Sequence, residues 1–157
     1  MKFISKSKTA FKISIMSPSG EMIYRTIGFI RIGEEQAQRE AIKTRNELGS
    51  EAWGEFWPQI LNDPKILIRL PSTTEPTLRE EHDRYGNKTL LYRAMWSEWD
   101  EEGNRKRKCL KRSVNAHGYD GAYEICRSAL MKAYQVYIPL IEFMKSNGSE
   151  RFINFET

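Results

Sequence analysis

Metal-binding and disulfide-forming residues are scarce in this chain. Its 157 residues include two cysteines and two histidines. Cys109 and Cys126 lack the Cys-x-x-Cys spacing of a zinc site, and two cysteines are too few for a disulfide scaffold. His82 and His117 are far apart and show no metal-ligand spacing. We therefore expect no bound metal and a reducing, cytoplasmic environment.

Motifs for catalysis and nucleotide binding are also absent. The sequence contains no Walker phosphate-binding loop, no Gly-x-Gly-x-x-Gly and no Gly-x-Ser-x-Gly. The carboxylates between Glu98 and Glu102 are better explained as the polar tip of a hairpin than as a magnesium site. We expect a protein that is not an enzyme and has no catalytic residues, no cofactor and no small-molecule substrate.

Long hydrophobic runs are missing as well. No apolar run is long enough to cross a bilayer, and the first residues, MKFISKSKTAF, lack the apolar core of a secretion signal. These absences predict a protein that is not secreted and has no membrane partner. The hydrophobic fraction of 39% nevertheless predicts folded cores, because disordered chains are usually poorer in apolar residues.

What the chain does contain is an uneven distribution of charge. The net charge is only +4, yet no Asp or Glu occurs from Gly103 to Tyr119. A cluster of cations is often just a solvated surface, but on a strand it also predicts a surface that binds nucleic acid. The cations of this acid-free segment are Arg105, Lys106, Arg107, Lys108, Lys111 and Arg112.

Hydrophobic periodicity predicts the same order of elements twice. Gly33-Glu-Glu-Gln-Ala and Gly118-Tyr-Asp-Gly-Ala occupy equivalent places just before, or at the start of, the two helices. The pattern predicts an α+β protein with two tandem modules, each a three-stranded antiparallel sheet packed on an α-helix. The predicted strands are 2–7, 11–17 and 21–32, then 77–84, 89–99 and 105–114, and the predicted helices are 34–48 and 119–134.

The clearest domain boundary runs from Leu70 to Thr77, which holds two prolines and shows no periodicity. Residues 50–60 are predicted to be a helical segment that covers a small core, and residues 65–70 a strand or an extended linker. We expect a first module at 1–60, a linker at 61–76, a second module at 77–146 and a flexible tail at 147–157.

The second unit resembles the APETALA-type, or ethylene-response-factor-like, DNA-binding domain. The resemblance rests on an aromatic strand, a Lys/Arg strand and then Ser113-Val-Asn-Ala-His-Gly-Tyr-Asp-Gly-Ala. It is greatest to the versions found in apicomplexan regulators, phage endonucleases and integrases. The first unit resembles the phage variety through Phe11-Lys-Ile-Ser-Ile, Gly28-Phe29 and Glu34-Glu-Gln-Ala.

In that family a three-stranded sheet lies in the DNA major groove and the helix backs the sheet. The resemblance therefore implies sequence-specific binding of double-stranded DNA. It also implies a phage or mobile-element transcriptional regulator that acts in the cytoplasm or nucleoid of a bacterial host.

The resemblance further implies which side chains face the DNA. In the first unit they are Lys6, Lys8, Lys12, Ser14, Tyr24 and Thr26. In the second unit they are Arg84 and Asn87 near the first turn, Arg93, Met95 and Ser97 on the second strand, and Arg105, Lys106, Arg107, Lys108 and Lys111 on the third. A shift of one residue would exchange the two faces of that last strand. The sequence therefore leaves open whether Arg105 and Arg107 or Lys106 and Lys108 point to the DNA.

Other functions fit parts of the sequence. The acidic turn and the weakly basic first unit are compatible with a protein-interaction module or inhibitor that acts on a protein partner. The chain is also compatible with the DNA-targeting piece of an integrase or nuclease system. RNA binding is less favoured, because the deep, narrow major groove of A-form RNA does not admit a sheet.

Overall fold

Two three-stranded antiparallel sheets, each followed along the chain by a long helix, form the framework of this α+β protein. The computed structural model describes residues 1–157. Residues 1–70 and 139–153 form a first structural unit, and residues 71–138 and 154–157 form a second. None of the helices combines the length and the hydrophobicity that are needed to cross a membrane.

The first unit begins with a sheet whose core side is set by alternation in its central strand. Phe11, Ile13 and Ile15 are each at most 2% exposed, whereas the residues between them point the other way. The indole N–H of Trp53 donates to the carbonyl oxygen of Met16 at 2.8 Å, which ties the end of the long helix to this strand. The elements are β1 (Ile4–Lys6), β2 (Ala10–Met16), β3 (Met22–Gly28), α1 (Glu34–Trp53), a 3-10 helix (Gly54–Phe56), α2 (Trp57–Asn62) and α3 (Ile66–Arg69).

The second unit repeats the order of three strands and a helix. Ala94 of its central strand is fully buried against Cys126 and Leu130 of the helix, and the partly buried Tyr92 and Trp96 surround this cluster. The Sγ of Cys126 donates to the carbonyl oxygen of Tyr92 at 3.4 Å. The elements are β4 (Thr77–His82), β5 (Lys88–Trp99), β6 (Arg105–Ser113) and α4 (Val114–Tyr134).

Three hairpins in the two units share one type of turn. In each turn the N–H of the first residue donates to the carbonyl oxygen of the fifth, and the glycine at the fourth position donates back to the first. This is the hydrogen-bond pattern of a three-residue loop with a bulge, which demands a residue with positive φ at the glycine. The turns are Ser17–Glu21, Asp83–Asn87 and Asp100–Asn104.

The two long helices also begin alike. Gly33 precedes α1 with φ 86° and ψ 155°, and Gly118, near the start of α4, has φ 73° and ψ 170°. Residues other than glycine rarely adopt this region of backbone conformation. The two glycines therefore have the same unusual backbone conformation at similar places near the starts of the two helices. The residues four positions after each glycine, Ala37 and Ala122, are fully buried. The residues eight positions after each glycine, Ala41 and Cys126, are fully buried as well.

The chain beyond α4 does not form a flexible tail. Helix α5 (Ile138–Ser146) places the ring of Phe143 at 4.9 Å from that of Phe56, within the first unit. A short 3-10 helix, Glu150–Phe152, follows. Phe152 is fully buried in the first unit, and Phe155 is fully buried in the second. The residues from 139 onward therefore supply core side chains to both units, whereas the sequence assigns 77–146 to the second module and predicts a flexible tail at 147–157.

Within residues 65–70, Ile66–Arg69 form helix α3 where the sequence predicts a strand or an extended linker, so that prediction is wrong. Ile66, Leu67 and Leu70 are buried, and their spacing matches one face of a helix. The guanidinium of Arg151 donates to the carbonyl oxygen of Leu67 at 2.6 Å and to that of Leu70. These contacts make residues 61–70 part of the first unit, whereas the sequence assigns them to a linker.

Candidate nucleic-acid interface

The pairing of β5 with β6 decides which cations share a face of the second sheet. Ala94 and Trp96 contact the buried core of α4, so their side of the sheet faces the helix. Lys108 pairs with Trp96, and Lys106 pairs with Glu98. Because side chains alternate along a strand, both lysines lie on the helix side.

Arg105 and Arg107 consequently lie on the side of the sheet that faces away from α4. Arg107 pairs with Ser97, and Arg105 pairs with Trp99. The register thus places the two arginines on the outward side of the sheet and the two lysines on the side of α4. We call this outward surface the cationic sheet face; it comprises Thr77, Arg79, Glu81, Thr89, Leu91, Arg93, Met95, Ser97, Trp99, Arg105, Arg107, Cys109, Lys111 and Ser113.

Arg105 is held in place by two neighbours on the same face. Its Nε donates to the Oγ of Ser97 at 2.8 Å, and its guanidinium lies 5.9 Å from the centroid of the Trp99 ring. A cation over an indole ring is attracted by the ring's negative face. Because only Nε is used in the hydrogen bond to Ser97, the two terminal nitrogens of this fork can still meet a planar pair of acceptors.

Glu81 is the only carboxylate on the cationic sheet face. Its Oε1 lies 2.7 Å from the Nζ of Lys111. The hydrogen bond from Lys111 is the main cause that lowers the pKa of Glu81, and the charges of Lys111, Arg79 and Arg93 lower it further. Glu81 is therefore ionised at neutral pH, and it offsets one of the positive charges on this face.

The cationic sheet face is strongly positive even after that offset. Five cationic side chains and one carboxylate give it a net charge of +4. The predicted residues Arg93, Met95, Ser97 and Lys111 all lie on it. Arg79, which pairs with Leu91, is not among the residues predicted from the sequence. Alternation from Thr77 along the first predicted strand would identify it.

Arg84 and Asn87 lie in the turn at the end of the sheet and not on its face. Asp83 accepts hydrogen bonds from the backbone N–H groups of Tyr85 and Asn87 and from the Asn87 amide at 2.9 Å. The Asn87 side chain is the main cause that lowers the pKa of Asp83. The guanidinium of Arg84 lies 4.8 Å from the centroid of the Tyr85 ring. These contacts explain Asn87 as a turn residue.

The first sheet brings four of its predicted residues together. Lys12 pairs with Thr26, and Ser14 pairs with Tyr24. Lys12 and Ser14 flank the buried Ile13 along β2, and side chains alternate along a strand. All four residues therefore lie on the side of the sheet that faces away from α1. The same side carries a third cross-strand pair, Met16 with Met22, which is not among the site residues predicted from the sequence.

Lys6 and Lys8 are separated from those four residues. Lys6 pairs with the buried Phe11, so it shares the α1 side of the sheet, where it forms a salt bridge with Glu34 at the start of α1. Lys8 is exposed in the connection between β1 and β2. The structure therefore does not support an outward position for Lys6.

The acidic hairpin tip and the cysteines have structural explanations. Asp100 accepts a hydrogen bond from the backbone N–H of Asn104 at 2.7 Å, and this bond is the main cause that lowers the pKa of its carboxyl group. Burial raises the pKa of the Cys126 thiol, whereas Cys109 is exposed on the cationic sheet face. Asp100 thus serves the turn between β5 and β6.

Comparison with models of known protein families and with curated proteins finds no match to this chain. Its function must therefore be inferred from the two sheets and the side chains that they present. The second sheet offers the stronger chemical signal, because its outward face concentrates arginines around Ser97 and Trp99.

Proposed function

We propose that this protein binds double-stranded DNA in a sequence-specific manner, as a phage or mobile-element transcriptional regulator. The cationic sheet face carries the proposal, because β6 turns Arg105 and Arg107 outward beside Arg93 and Lys111. The resemblance of both units to the APETALA-type domain supports the same docking mode, in which the sheet enters the major groove.

The dimensions of the second sheet suit this mode. Neighbouring strands lie about 4.8 Å apart, so three strands are about 10 Å wide between the outer backbones. The major groove of B-DNA is about 12 Å wide and admits a narrow sheet or a two-stranded ribbon. Side chains that point away from α4 would then meet base edges at the centre and phosphates at the rims.

The side chains on this face have complementary roles. The fork of Arg105, steadied by Ser97 and Trp99, matches the two acceptors that guanine presents in the major groove. A lysine such as Lys111 is a flexible point charge and is better suited to a phosphate. The face therefore combines a specific contact with sequence-independent attraction.

We further propose that the two units are tandem modules, each a sheet packed on a helix, that bind one DNA molecule together. Two observations support a repeated module. Gly33 and Gly118 share one backbone conformation, and the residues four and eight positions after each glycine are fully buried. Two modules on one chain raise the overall affinity, since the second binding event is intramolecular.

Selection from a randomised duplex library, followed by sequencing, tests the proposed function. The full chain at moderate salt should enrich a defined motif, and its affinity for that motif should fall as salt rises. A flat library together with a duplex affinity that does not respond to salt would refute DNA binding. A protein partner would then be the better explanation for the exposed faces.

A further inference from the structure

The outward side of the first sheet differs chemically from the cationic sheet face. It contains one cation and no carboxylate, and two of its apolar side chains are well exposed: Met22 at 43% and Tyr24 at 64%. We call it the methionine sheet face. Its residues are Ser5, Lys12, Ser14, Met16, Met22, Tyr24 and Thr26.

This face holds the position in the first unit that the cationic sheet face holds in the second. In both units the central strand buries side chains against a helix, and a glycine with positive φ lies just before or near the start of that helix. The opposite side of the sheet is therefore free in each unit to present side chains to the same kind of ligand. The two faces differ in the chemistry of those side chains.

We infer that the methionine sheet face reads the methyl groups of a thymine-rich part of the DNA site. The inference rests on the proposed function. Thymine's C5-methyl group is the apolar feature of the major groove, and it is recognised by apolar contact. Methionine is flexible and polarisable, so the neighbouring Met16 and Met22 can follow a row of methyl groups.

The polar residues of this face fit the same ligand. Lys12 can pair with a phosphate, and the hydroxyls of Ser14 and Thr26 can donate to or accept from base edges. The first unit has acidic side chains elsewhere, such as Glu34 and Glu35 at the start of α1, but none on this face. The absence of carboxylates matches a polyanion, which a negatively charged side chain would repel.

The inference predicts a bipartite site with two kinds of recognition. One part is held mainly by charge and arginine contacts, and its affinity depends on salt. The other part is held mainly by apolar contact with methyl groups, and its contribution depends little on salt. A DNA site of this kind would be asymmetric, even though the protein repeats one structural plan.

Replacing thymine by uracil in the selected duplex tests the inference, because uracil lacks only the C5-methyl group. Each contacted methyl should contribute about fourfold in affinity, and two should contribute about 15-fold. We expect this loss for thymines in one part of the site. The slope of log affinity against log salt should stay the same, since no charge is altered.

Two variants locate the effect on the protein. M16S/M22S should bind the thymine and uracil duplexes equally well, with an unchanged salt slope. I68S/V136S is the matched control, because it also removes two apolar side chains, which are 82% and 73% exposed and lie outside both sheets. I68S/V136S should retain the preference for thymine. Circular dichroism melts show whether each variant is folded.

The outcomes separate this inference from the proposed function. If the duplex is bound with a motif and a salt slope but uracil substitution changes affinity less than twofold everywhere, the inference fails and DNA binding stands. A preference for thymine that survives in folded M16S/M22S also overturns it. If no motif and no salt dependence are found, both proposals fail, and a protein partner for the methionine sheet face is indicated.

Discussion

A pair of charge-matched double variants can distinguish the contributions of the two sides of β6 to DNA affinity. R105Q/R107Q removes two cations from the cationic sheet face, and K106Q/K108Q removes two from the side that faces α4. Both changes lie on the same strand and lower the net charge equally. A difference in DNA affinity between them therefore reports where the DNA lies and not how much charge the protein carries.

The size of the difference follows from the charges on the cationic sheet face. Its net charge is +4, from five cations and Glu81. If this charge neutralises four phosphates, log affinity falls with log salt at a slope of about −3.6, and R105Q/R107Q reduces the slope to about −1.8. Between about 50 and about 200 mM salt, affinity should fall about 150-fold for the unaltered protein and about 12-fold for R105Q/R107Q. K106Q/K108Q should keep a slope close to that of the unaltered protein.

Fluorescence anisotropy with a labelled copy of the selected duplex measures these slopes. The titrations are repeated at several salt concentrations for the three proteins, and circular dichroism confirms that each is folded. Equal reductions of slope in both double variants would contradict the assignment of the interface, since affinity would then follow total charge. A larger reduction in K106Q/K108Q would place the DNA on the other side of the sheet.

Three further predictions address the same surface and its support. E81Q removes the only carboxylate of the cationic sheet face, so duplex binding should tighten and the salt slope should steepen by about 0.9. A weaker or unchanged affinity would contradict the charge count. The exposed Cys109 should react with iodoacetamide faster than the buried Cys126, and bound duplex should slow it, as mass spectrometry can follow. Unprotected Cys109 would exclude this face. G118A should lower the free energy of unfolding by about 1–3 kcal/mol because of the positive φ of Gly118. G121A, inside the helix, should be neutral or stabilising by up to about 1 kcal/mol in urea denaturation.

Local signals account for the part of the fold that could be predicted from the sequence. Alternation in Phe11-Lys-Ile-Ser-Ile identifies both the strand and its buried side, and the structure confirms an α+β fold with two three-stranded antiparallel sheets. The glycines in the hairpin turns and Gly33 before α1 mark the ends of elements, because few other residues adopt their backbone conformations. These features depend on a few neighbouring residues.

The faces of β6 could not be read in the same way, because Arg105 to Lys108 are all charged. Alternation carries no information within a run of four charged residues. The deciding residue is Leu110, which pairs with the buried Ala94 and so turns Lys108 and Lys106 toward α4. Extending the alternation from this one apolar side chain would have given the correct register.

The C-terminal residues show a different limit. Ser146 to Arg151 is polar and contains a glycine, so the local pattern indicates a frayed end. Burial of Phe152 and Phe155 depends on residues far away in the chain, such as Thr74, whose hydroxyl donates to the carbonyl oxygen of Glu156 at 2.8 Å. No local rule predicts contacts of this kind.

The distribution of charge links the fold to the proposed binding. The whole chain and the cationic sheet face both have a net charge of +4, so the remaining surface is neutral on balance. A protein whose positive potential comes mainly from one face is oriented by a polyanion before contact, and the rest of its surface adds little nonspecific attraction. Because the methionine sheet face adds only Lys12 to this potential, it cannot attract DNA from a distance. In the proposed function, it would act after the second unit has brought the duplex close. We therefore expect the second unit to govern the rate of association and the first unit to govern the rate of dissociation.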